Sequence, residues 1–306
     1  MAVTTTATRT TVYQELRPLL FSIAYQMVGS TSDAEDIVQE AFLRFHREAR
    51  RGTDIASPKA WLTTVTTRLA INHVQSARVR RERYVGTWLP EPIVTDSEPG
   101  GLMRHAETAD SLSLAFLVLL ESLGPVERAV FLLREVFDYG YDEIAAVVGK
   151  TPDNCRQVAV RARRQVEARK PRFEASRRKR EELSRRFFEA VEGDDAQGLV
   201  RLLAADVVVY ADGGGKSQAP TIRRPLYGRE RVARLFGEIG PYSQRLGARS
   251  VRYAEVNGQP GALYLDHDGR PVLVVSVDIA DGLVQTVHAI TNPDKLRRLI
   301  LSTDPD

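Results

Sequence analysis

Four side chains on one face of a short predicted helix carry the clearest chemistry in this sequence. They lie at i, i+3, i+7 and i+10, and they are Asn154, Gln157, Arg161 and Arg164. Because an α-helix has 3.6 residues per turn, this spacing places all four on the same side. Such side chains present forked hydrogen-bonding groups that match base edges and phosphates in the major groove. The pattern predicts a helix that reads duplex DNA.

The flanking residues supply the signals of a helix-turn-helix. Gly149 is placed to end a first helix, because glycine adopts the left-handed conformation at little cost. Thr151 is a predicted N-cap, and Pro152 follows at the first helical position, where its missing N–H is harmless. The face opposite the polar stripe is apolar and can pack, through Cys155, Ala159, Ala162 and Val166. Residues 141–164 are therefore predicted to form a helix-turn-helix.

Composition restricts the class of protein. The chain has 306 residues, which is enough for two or three domains. Its net charge is only +3, so positive charge is concentrated in local clusters of arginine. Its single cysteine, Cys155, excludes an internal disulfide and a multi-cysteine zinc site. The N-terminus has no apolar signal core, and the longest apolar run, residues 114–120, is far short of the roughly 18 residues of a membrane span. A cytoplasmic protein without metal or cofactor is expected.

Residues 12–83 read as helical. Ser32 and Glu35 form a predicted capping box for a helix with one apolar stripe. Ser57 and Pro58 are the predicted start of a third helix.

The segment 85–108 is a predicted linker, because its prolines and a Gly-Gly pair interrupt any continuous helix. Flexible linkers seldom expose tryptophan, yet this one contains Trp88 beside Leu89. Either this pair anchors in a groove of the protein or of a partner, or it is half-buried on its own domain.

Beyond residue 179 the sequence changes to an α+β pattern. Helices through Ala205 give way to a strand, DVVVYA, and then to a glycine loop that begins at Asp212. After one more helix come strands separated by Asp268-Gly269 and Asp281-Gly282, which are strong hairpin-turn signals. The C-terminal third is predicted to be helices followed by a curved antiparallel meander that can enclose a cleft.

These residues carry a family resemblance. DAEDIVQEAFLRFHR with SPKAWLTTVTTRLAINHVQSARVRR resembles region 2 of the extracytoplasmic-function sigma factors, and residues 120–166 resemble their region 4. The C-terminal part resembles the SnoaL-like, nuclear-transport-factor-2-like cone. Three motifs mark the subgroup with this extension, and they stand here as WLPEP (88–92), DGGGK (212–216) and NPDKL (292–296).

The resemblance implies a multi-domain fold: two all-α sigma domains and an α+β cone. The expected parts are region 2 (10–84), the linker (85–108), region 4 with the helix-turn-helix (109–172) and the SnoaL-like domain (179–306). The implied function is promoter-specific initiation as a subunit of bacterial RNA polymerase, with region 2 at the −10 element and region 4 at the −35 element.

The same resemblance implies partners and residue roles. Core polymerase is expected to bind through its β′ clamp and β flap, with Asp36, Gln39 and Glu40 at the clamp. The expected −10 residues are Asn72, Arg78, Arg80, Arg81, Arg50 and Arg51. Trp61 could stack on a base, although its apolar neighbours favour a core role. The expected −35 residues are Asn154, Gln157, Arg161 and Arg164, with Arg156 and Lys150 on phosphates.

For the cone, the resemblance implies a regulatory contact with the linker rather than catalysis. The expected contact residues are Trp88, Leu89, Pro90, Asp212, Gly214, Lys216, Asn292, Asp294 and Lys295. A lone strand histidine, His288, is interpreted as a core or cleft residue. Three alternatives stay open: a small-molecule ligand in the cleft, a retained enzymatic activity, and a stand-alone helix-turn-helix regulator.

Overall fold

The chain divides into two units that interleave along the sequence. The computed structural model describes residues 3–81, 84–95, 109–168, 176–297 and 299. A helical unit comprises residues 1–80, 100–111 and 119–170, and a sheet unit comprises residues 81–99, 112–118 and 171–306. Among the described residues, no helix combines the length and the apolar character that a membrane span requires.

Capped amphipathic helices build the helical unit. Its helices are α1 (Val3–Val28), α2 (Thr31–Arg50), α3 (Pro58–Arg81), the end of α4 (Leu114–Leu120), α5 (Pro125–Glu135), α6 (Tyr141–Val148) and α7 (Pro152–Glu167). The predicted capping box at Ser32 and Glu35 is wrong. Ser30 is extended and caps α2 instead, its hydroxyl accepting the Asp33 N–H at 3.2 Å, so Ser32 already lies in the first turn.

The predicted helix-turn-helix is confirmed as local structure. Gly149 ends α6 in the left-handed conformation, with φ of 67°. The Thr151 hydroxyl accepts the Asn154 N–H at 3.2 Å, and Pro152 is the first residue of α7. The apolar face of α7, with Cys155 and Ala159, is buried in a core shared with α1, α5 and α6. Burying each large apolar side chain contributes roughly 1.5–3 kcal/mol, so this core fixes the orientation of the polar face.

A buried arginine connects segments that are far apart in the helical unit. Arg128 of α5 is only 2% exposed. Its Nη1 donates to the Met27 carbonyl of α1 at 2.7 Å and to the Glu121 carboxylate at 2.9 Å. A buried cation is tolerated only where partners replace its water, so these contacts determine how α5 packs on α1.

The sheet unit contains a curved sheet with helices on one face. Its elements are α8 (Arg177–Glu192), α9 (Ala196–Leu202), β1 (Leu203–Asp212), β2 (Leu226–Tyr227), α10 (Arg229–Gly237), α11 (Ile239–Arg245), β3 (Ser250–Val256), β4 (Gln259–Leu265), β5 (Pro271–Ala280), β6 (Leu283–Ile290) and α12 (Pro293–Leu296). In the described residues the strand order is β2-β1-β6-β5-β4-β3.

The strand pattern confirms the meander and corrects one boundary. Strands β3 to β6 are sequentially antiparallel, and the Asp268-Gly269 and Asp281-Gly282 pairs stand between β4 and β5 and between β5 and β6. The helix predicted to continue through Ala205 ends at Leu202. From Leu203 onward the chain forms strand β1, which pairs in parallel with β6. No local sequence signal indicates this pairing.

The two faces of this sheet are covered differently. One face packs against α8, α9, α10 and α11 around Phe187, Phe236 and Val277. The other face packs against chain that precedes the domain, because Leu89, Val94 and Leu114 share a core with Leu263, Val274 and Ile290 of the strands. Alternation along each strand supplies apolar residues to both faces, as expected for a sheet that is buried on both sides.

A buried polar cluster lies on neighbouring strands of the sheet. His288 and Asp278 are each 1% exposed, with His288 Nδ1 3.4 Å from the Asp278 carboxylate. The Tyr210 ring stacks on the imidazole at 5.8 Å. Burial lowers the pKa of His288 to about 3, so the imidazole is neutral at ordinary pH.

We predict that Arg128→Met destabilises the helical unit by about 2–4 kcal/mol, because it leaves the buried Met27 carbonyl and the Glu121 carboxylate without this cation. Urea unfolding combined with hydrogen exchange of the α5 amides measures the effect. The control is Arg44→Met, which removes an exposed pair with Glu40 and is expected to cost less than about 1 kcal/mol. Equal losses for both variants would contradict a structural role for Arg128.

The second prediction concerns the pH dependence of folding. Because the pKa of His288 is lower in the folded state, protons bind the unfolded chain more readily as the pH falls below about 6.5. The free energy of unfolding should therefore decrease by about 2 kcal/mol between pH 7 and pH 5 through this residue alone. His288→Gln should remove that part of the slope, whereas substitution of the exposed His267 should leave it. Unfolding curves that depend on pH identically in wild type and His288→Gln would refute the assignment.

Candidate functional site

The polar face of α7 is exposed as the sequence predicts. Asn154, Gln157, Arg161 and Arg164 all lie on the solvent side of the helix. They stand opposite the buried stripe that holds α7 in its core. A helix that reads the major groove of DNA needs a backbone that is held by packing and side chains that extend into solvent.

The neighbouring basic residues of α7 are more constrained. Arg156 is paired with Asp153 and lies over the Tyr141 ring at 5.4 Å. Arg163 is paired with Glu135 of α5, and this hydrogen bond raises the pKa of the guanidinium. Lys150 is exposed in the turn. Arg163 thus has a structural partner within the fold, whereas Arg161 and Arg164 belong to the exposed polar stripe of α7.

The predicted −10 residues are described in part. Asn72 and Arg50 are exposed, and Arg51 pairs with Glu48 at 2.7 Å. The side chains of Arg78, Arg80 and Arg81 lie outside the described residues. Trp61 is half-buried against Phe45, with ring centroids 5.7 Å apart, which favours the core interpretation of its ring.

The acidic face of α2 is accessible. Asp36 and Gln39 are exposed, and Glu40 accepts a hydrogen bond from Arg44 at 2.7 Å, which lowers the pKa of its carboxyl. The opposite stripe of α2 is buried, so this face is presented outward by the helix packing. The structure places the three residues together on one helix.

The sheet unit contains a network around Asp212, the last residue of β1. The Asp212 side chain is fully buried and accepts the Leu89 N–H at 2.8 Å. Lys295 Nζ lies 2.7 Å from the same carboxylate oxygen and also donates to the Leu89 carbonyl. Both backbone groups of Leu89 are therefore satisfied by side chains of the sheet domain. This arrangement recognises linker backbone rather than a linker side chain.

Aromatic rings complete the surroundings of Lys295. Its ammonium lies 4.4 Å from the Trp88 ring centroid and 5.2 Å from that of Tyr84. Cations bind the faces of aromatic rings, and the attraction increases when water is excluded. Lys295 is only 8% exposed, so its charge is balanced by Asp212, the Leu89 carbonyl and these two rings.

Tyr84, directly before the linker, contacts both C-terminal motif segments. Its hydroxyl donates to Asp212 and accepts from Asn292 Nδ2 at 2.7 Å. Burial and the adjacent Asp212 carboxylate raise the pKa of Tyr84 well above its usual value, which keeps the hydroxyl protonated as a donor. Lys216 and Asp294 form a further pair between the glycine loop and α12. Pro90 is buried with Leu89.

The glycine loop, residues 212–216, packs closely against residues 84 and 85. Gly214 and Gly215 have φ of 58° and 71°, a conformation that side chains rarely adopt. A Cβ atom at Gly214 would lie 2.3 Å from Asn292 Nδ2 and 2.9 Å from the Tyr84 hydroxyl, and one at Gly215 would lie 3.2 Å from the Val85 Cβ. The positive φ of both residues and the close approach of Asn292 and Tyr84 to Gly214 favour glycine in this loop.

A second segment of the linker adds to the sheet edge. Val94 bridges Val256 of β3, with the Thr95 N–H donating to the Glu255 carbonyl at 2.8 Å. Asn257 accepts the Ile93 N–H at 2.9 Å and donates to the Leu112 carbonyl at 2.9 Å. One asparagine thus contacts both the linker and the chain that follows it.

Sequence reasoning missed Tyr84 and Asn257. Tyr84 was assigned to the end of region 2, and only its tertiary partners identify it. Asn257 stands before Gly258 between the observed strands β3 and β4 and has a positive φ of 53°, so a turn is its local signal. Its contacts with Ile93 and Leu112 have no local signal at all.

Acidic and histidine side chains of the meander stand in two settings, an exposed hairpin turn and the buried sheet. Asp266 Oδ1 accepts the N–H groups of Asp268 and Arg270 at 2.9 and 2.8 Å, which closes the hairpin turn. His267 is exposed in that turn. Asp278 and His288 are buried in the sheet, as described above. The carboxylate of Asp266 therefore stabilises the turn. In the buried pair, the imidazole of His288 is uncharged.

Comparison with known proteins agrees with these features. Residues 12–80 match the family model of Sigma-70 region 2, and residues 113–166 match that of Sigma-70 region 4. The ECF RNA polymerase sigma factor SigJ of Mycobacterium tuberculosis is 37% identical over 292 residues, covering 92% of this chain and 91% of that protein. The probable ECF sigma factor SigI of the same species is 35% identical over 291 residues, covering 92% of each chain.

The crystal structure of M. tuberculosis SigJ has the same architecture. It superposes with a TM-score of 0.74 at 34% identity, covering 95% of this chain and 99% of that one. The two sigma regions and the C-terminal α+β domain are thus shared across the length of both proteins. This chain belongs to the extracytoplasmic-function sigma factors of RNA polymerase and, like SigJ, carries an α+β domain C-terminal to its two sigma regions.

Proposed function

We propose that this sigma factor is regulated in cis, by a C-terminal domain that holds the linker between its two promoter-reading regions. The observation that carries the proposal is the closed set of contacts among Lys295, Asp212 and both backbone groups of Leu89. The fused domain then acts where other sigma factors use a separate anti-sigma protein.

Electrostatics makes this contact selective for one docked arrangement. A buried ammonium and a buried carboxylate each lose several kcal/mol of hydration, which their mutual attraction offsets only with further hydrogen bonds. Leu89 supplies one donor and one acceptor, and the rings of Trp88 and Tyr84 supply the remaining surroundings. If the linker left, Lys295 and Asp212 would have to be rehydrated. Docking is therefore a two-state event with a definite geometry.

The linker and the chain that follows it pack on the same domain. Leu89 and Val94 of the linker lie in its core with Leu114 of α4, and Val118 packs against that core. The domain therefore holds the connection where it leaves region 2 and where it enters region 4. Since promoter elements are a set distance apart, control of this connection controls which DNA sites can be read together.

We assign DNA and polymerase contacts to the exposed faces. The α7 residues Asn154, Gln157, Arg161 and Arg164 read the −35 element, while Lys150 and Arg156 contact phosphates. Asn72, Arg50, Arg51 and the arginines 78, 80 and 81 contact the −10 strand. Asp36, Gln39 and Glu40 bind the β′ clamp, and region 4 binds the β flap. The exposure of each described residue supports the assignment.

We further infer that the C-terminal domain is regulatory and not catalytic. Its one histidine–carboxylate pair in the described strands, His288 with Asp278, is 1% exposed at both residues. General acid–base catalysis requires groups that reach the substrate and titrate near the working pH. A histidine whose pKa is lowered to about 3 by burial meets neither requirement.

The docking proposal predicts the effect of Trp88→Ala. Loss of the ring over Lys295 should weaken docking by about 1 kcal/mol, which increases exchange of the Leu89 amide about fivefold. Transcription with core polymerase should change on promoters that contain both elements. The matched control is Tyr227→Ala, which removes an exposed ring from β2. Unchanged amide exchange and transcript yield in Trp88→Ala would contradict docking through this residue.

The −35 assignment predicts a specificity change for Arg161→Ala. If this guanidinium makes a bidentate base contact, the variant holoenzyme should lose about 1–3 kcal/mol on the preferred −35 sequence and discriminate less at one base pair. Binding is measured on a set of single-base −35 variants. Arg163→Ala is the control, since it removes the same charge from the same helix on the side that pairs with Glu135. A loss that is uniform over all −35 variants would reassign Arg161 to a phosphate.

A further inference from the structure

An open groove lies between α8 and the β3 edge of the sheet, on the face away from the linker. Its cavity volume is about 510 Å³, within the roughly 300–1,000 Å³ typical of small-molecule sites. The floor is Phe188 of α8, which is 5% exposed, and the wall is Tyr253 of β3, which is 48% exposed. Their ring centroids are 5.2 Å apart and tilted at 47°. The groove thus offers two aromatic surfaces, one of them largely open.

The rim of the groove is acidic. The lining includes the carboxylates of Glu181, Glu189, Glu192 and Glu255 and the guanidinium of Arg185. Arg185 is paired with Glu189 at 2.7 Å. The Glu192 carboxylate, which accepts a hydrogen bond from the Tyr253 hydroxyl, stands beside the apolar floor, and a carboxylate beside aromatic rings complements a cation.

Two tyrosines, Tyr253 and Tyr264, lie near Glu192. Burial, followed by the hydrogen bond to Glu192 and its charge, raises the pKa of Tyr253 well above its ordinary value. Burial and the Glu192 charge raise the pKa of Tyr264, the next strand's tyrosine, to about 12. Both tyrosine hydroxyls therefore stay protonated, and that of Tyr253 donates to Glu192 at the groove.

We propose that this groove binds a small organic cation with an apolar or aromatic body. The ammonium group would lie among Glu192, Glu189 and the Tyr253 face, and the apolar body would cover Phe188. Carboxylates and an aromatic face together are a common arrangement for binding protonated or quaternary amines. Aromatic side chains provide this contact with little loss of conformational entropy.

The test uses the full-length protein and benzyltrimethylammonium chloride as the probe. We expect saturable binding by titration calorimetry, with benzyl alcohol and benzoate binding at least about tenfold more weakly. Glu192→Gln and Tyr253→Leu should each weaken binding of the cation about tenfold. The control is Glu230→Gln, which removes an exposed carboxylate of α10 outside the groove and should leave binding unchanged.

Several results would overturn the proposal. One is binding of benzyl alcohol as tight as that of the cation, because the groove would then be an unselective apolar surface. Another is equal binding to wild type and both groove variants, because the probe would then bind elsewhere. A third is binding of an arginine-rich peptide without binding of the small cation, because the groove would then be a surface for basic proteins. Circular dichroism of each variant verifies that a loss does not arise from unfolding.

Discussion

The geometry of the sheet unit depends on burying the Lys295 ammonium. A lysine is almost never buried without compensation, and here compensation comes from Asp212, the Leu89 carbonyl and two rings. These groups come from two segments, residues 84–89 and the end of β1, so the position of one charge requires both to meet α12. The glycine loop belongs to the same cluster, since the Tyr84 hydroxyl that donates to Asp212 and the side chain of Asn292 both lie close to Gly214.

The helical unit also contains a buried cation that binds a backbone carbonyl, in this case the guanidinium of Arg128. Arg128 holds the Met27 carbonyl of α1, as Lys295 holds the Leu89 carbonyl of the linker. In each case a buried positive charge binds a backbone oxygen from a distant segment. Apolar packing would tolerate sliding of one segment past another, because burial is not directional. A charged hydrogen bond to one particular carbonyl is directional, so each unit gains a fixed register in addition to stability.

Local signals made part of this structure predictable. Gly149, Thr151 and Pro152 determine the turn of the helix-turn-helix from their own backbone preferences, and the Asp-Gly pairs mark the hairpins in the same way. Asn257 and Ile93 are 164 residues apart, and neither sequence neighbourhood indicates that they meet. The motif residues around Leu89 were identified by family resemblance, whereas the carbonyl that Lys295 binds follows only from the packed sheet.

Strand β3 contributes to both faces of the C-terminal domain. The Glu255 carbonyl accepts the Thr95 N–H of the linker, and Glu255 also lines the groove beside α8. β3 is an edge strand, and the linker pairs with its outer side at Val94 and Thr95. A group bound in the groove can change linker docking only if it binds the docked and undocked positions of β3 with different affinity. The shared residue makes such a difference physically available, because a displacement of Glu255 moves a groove carboxylate and a linker acceptor together.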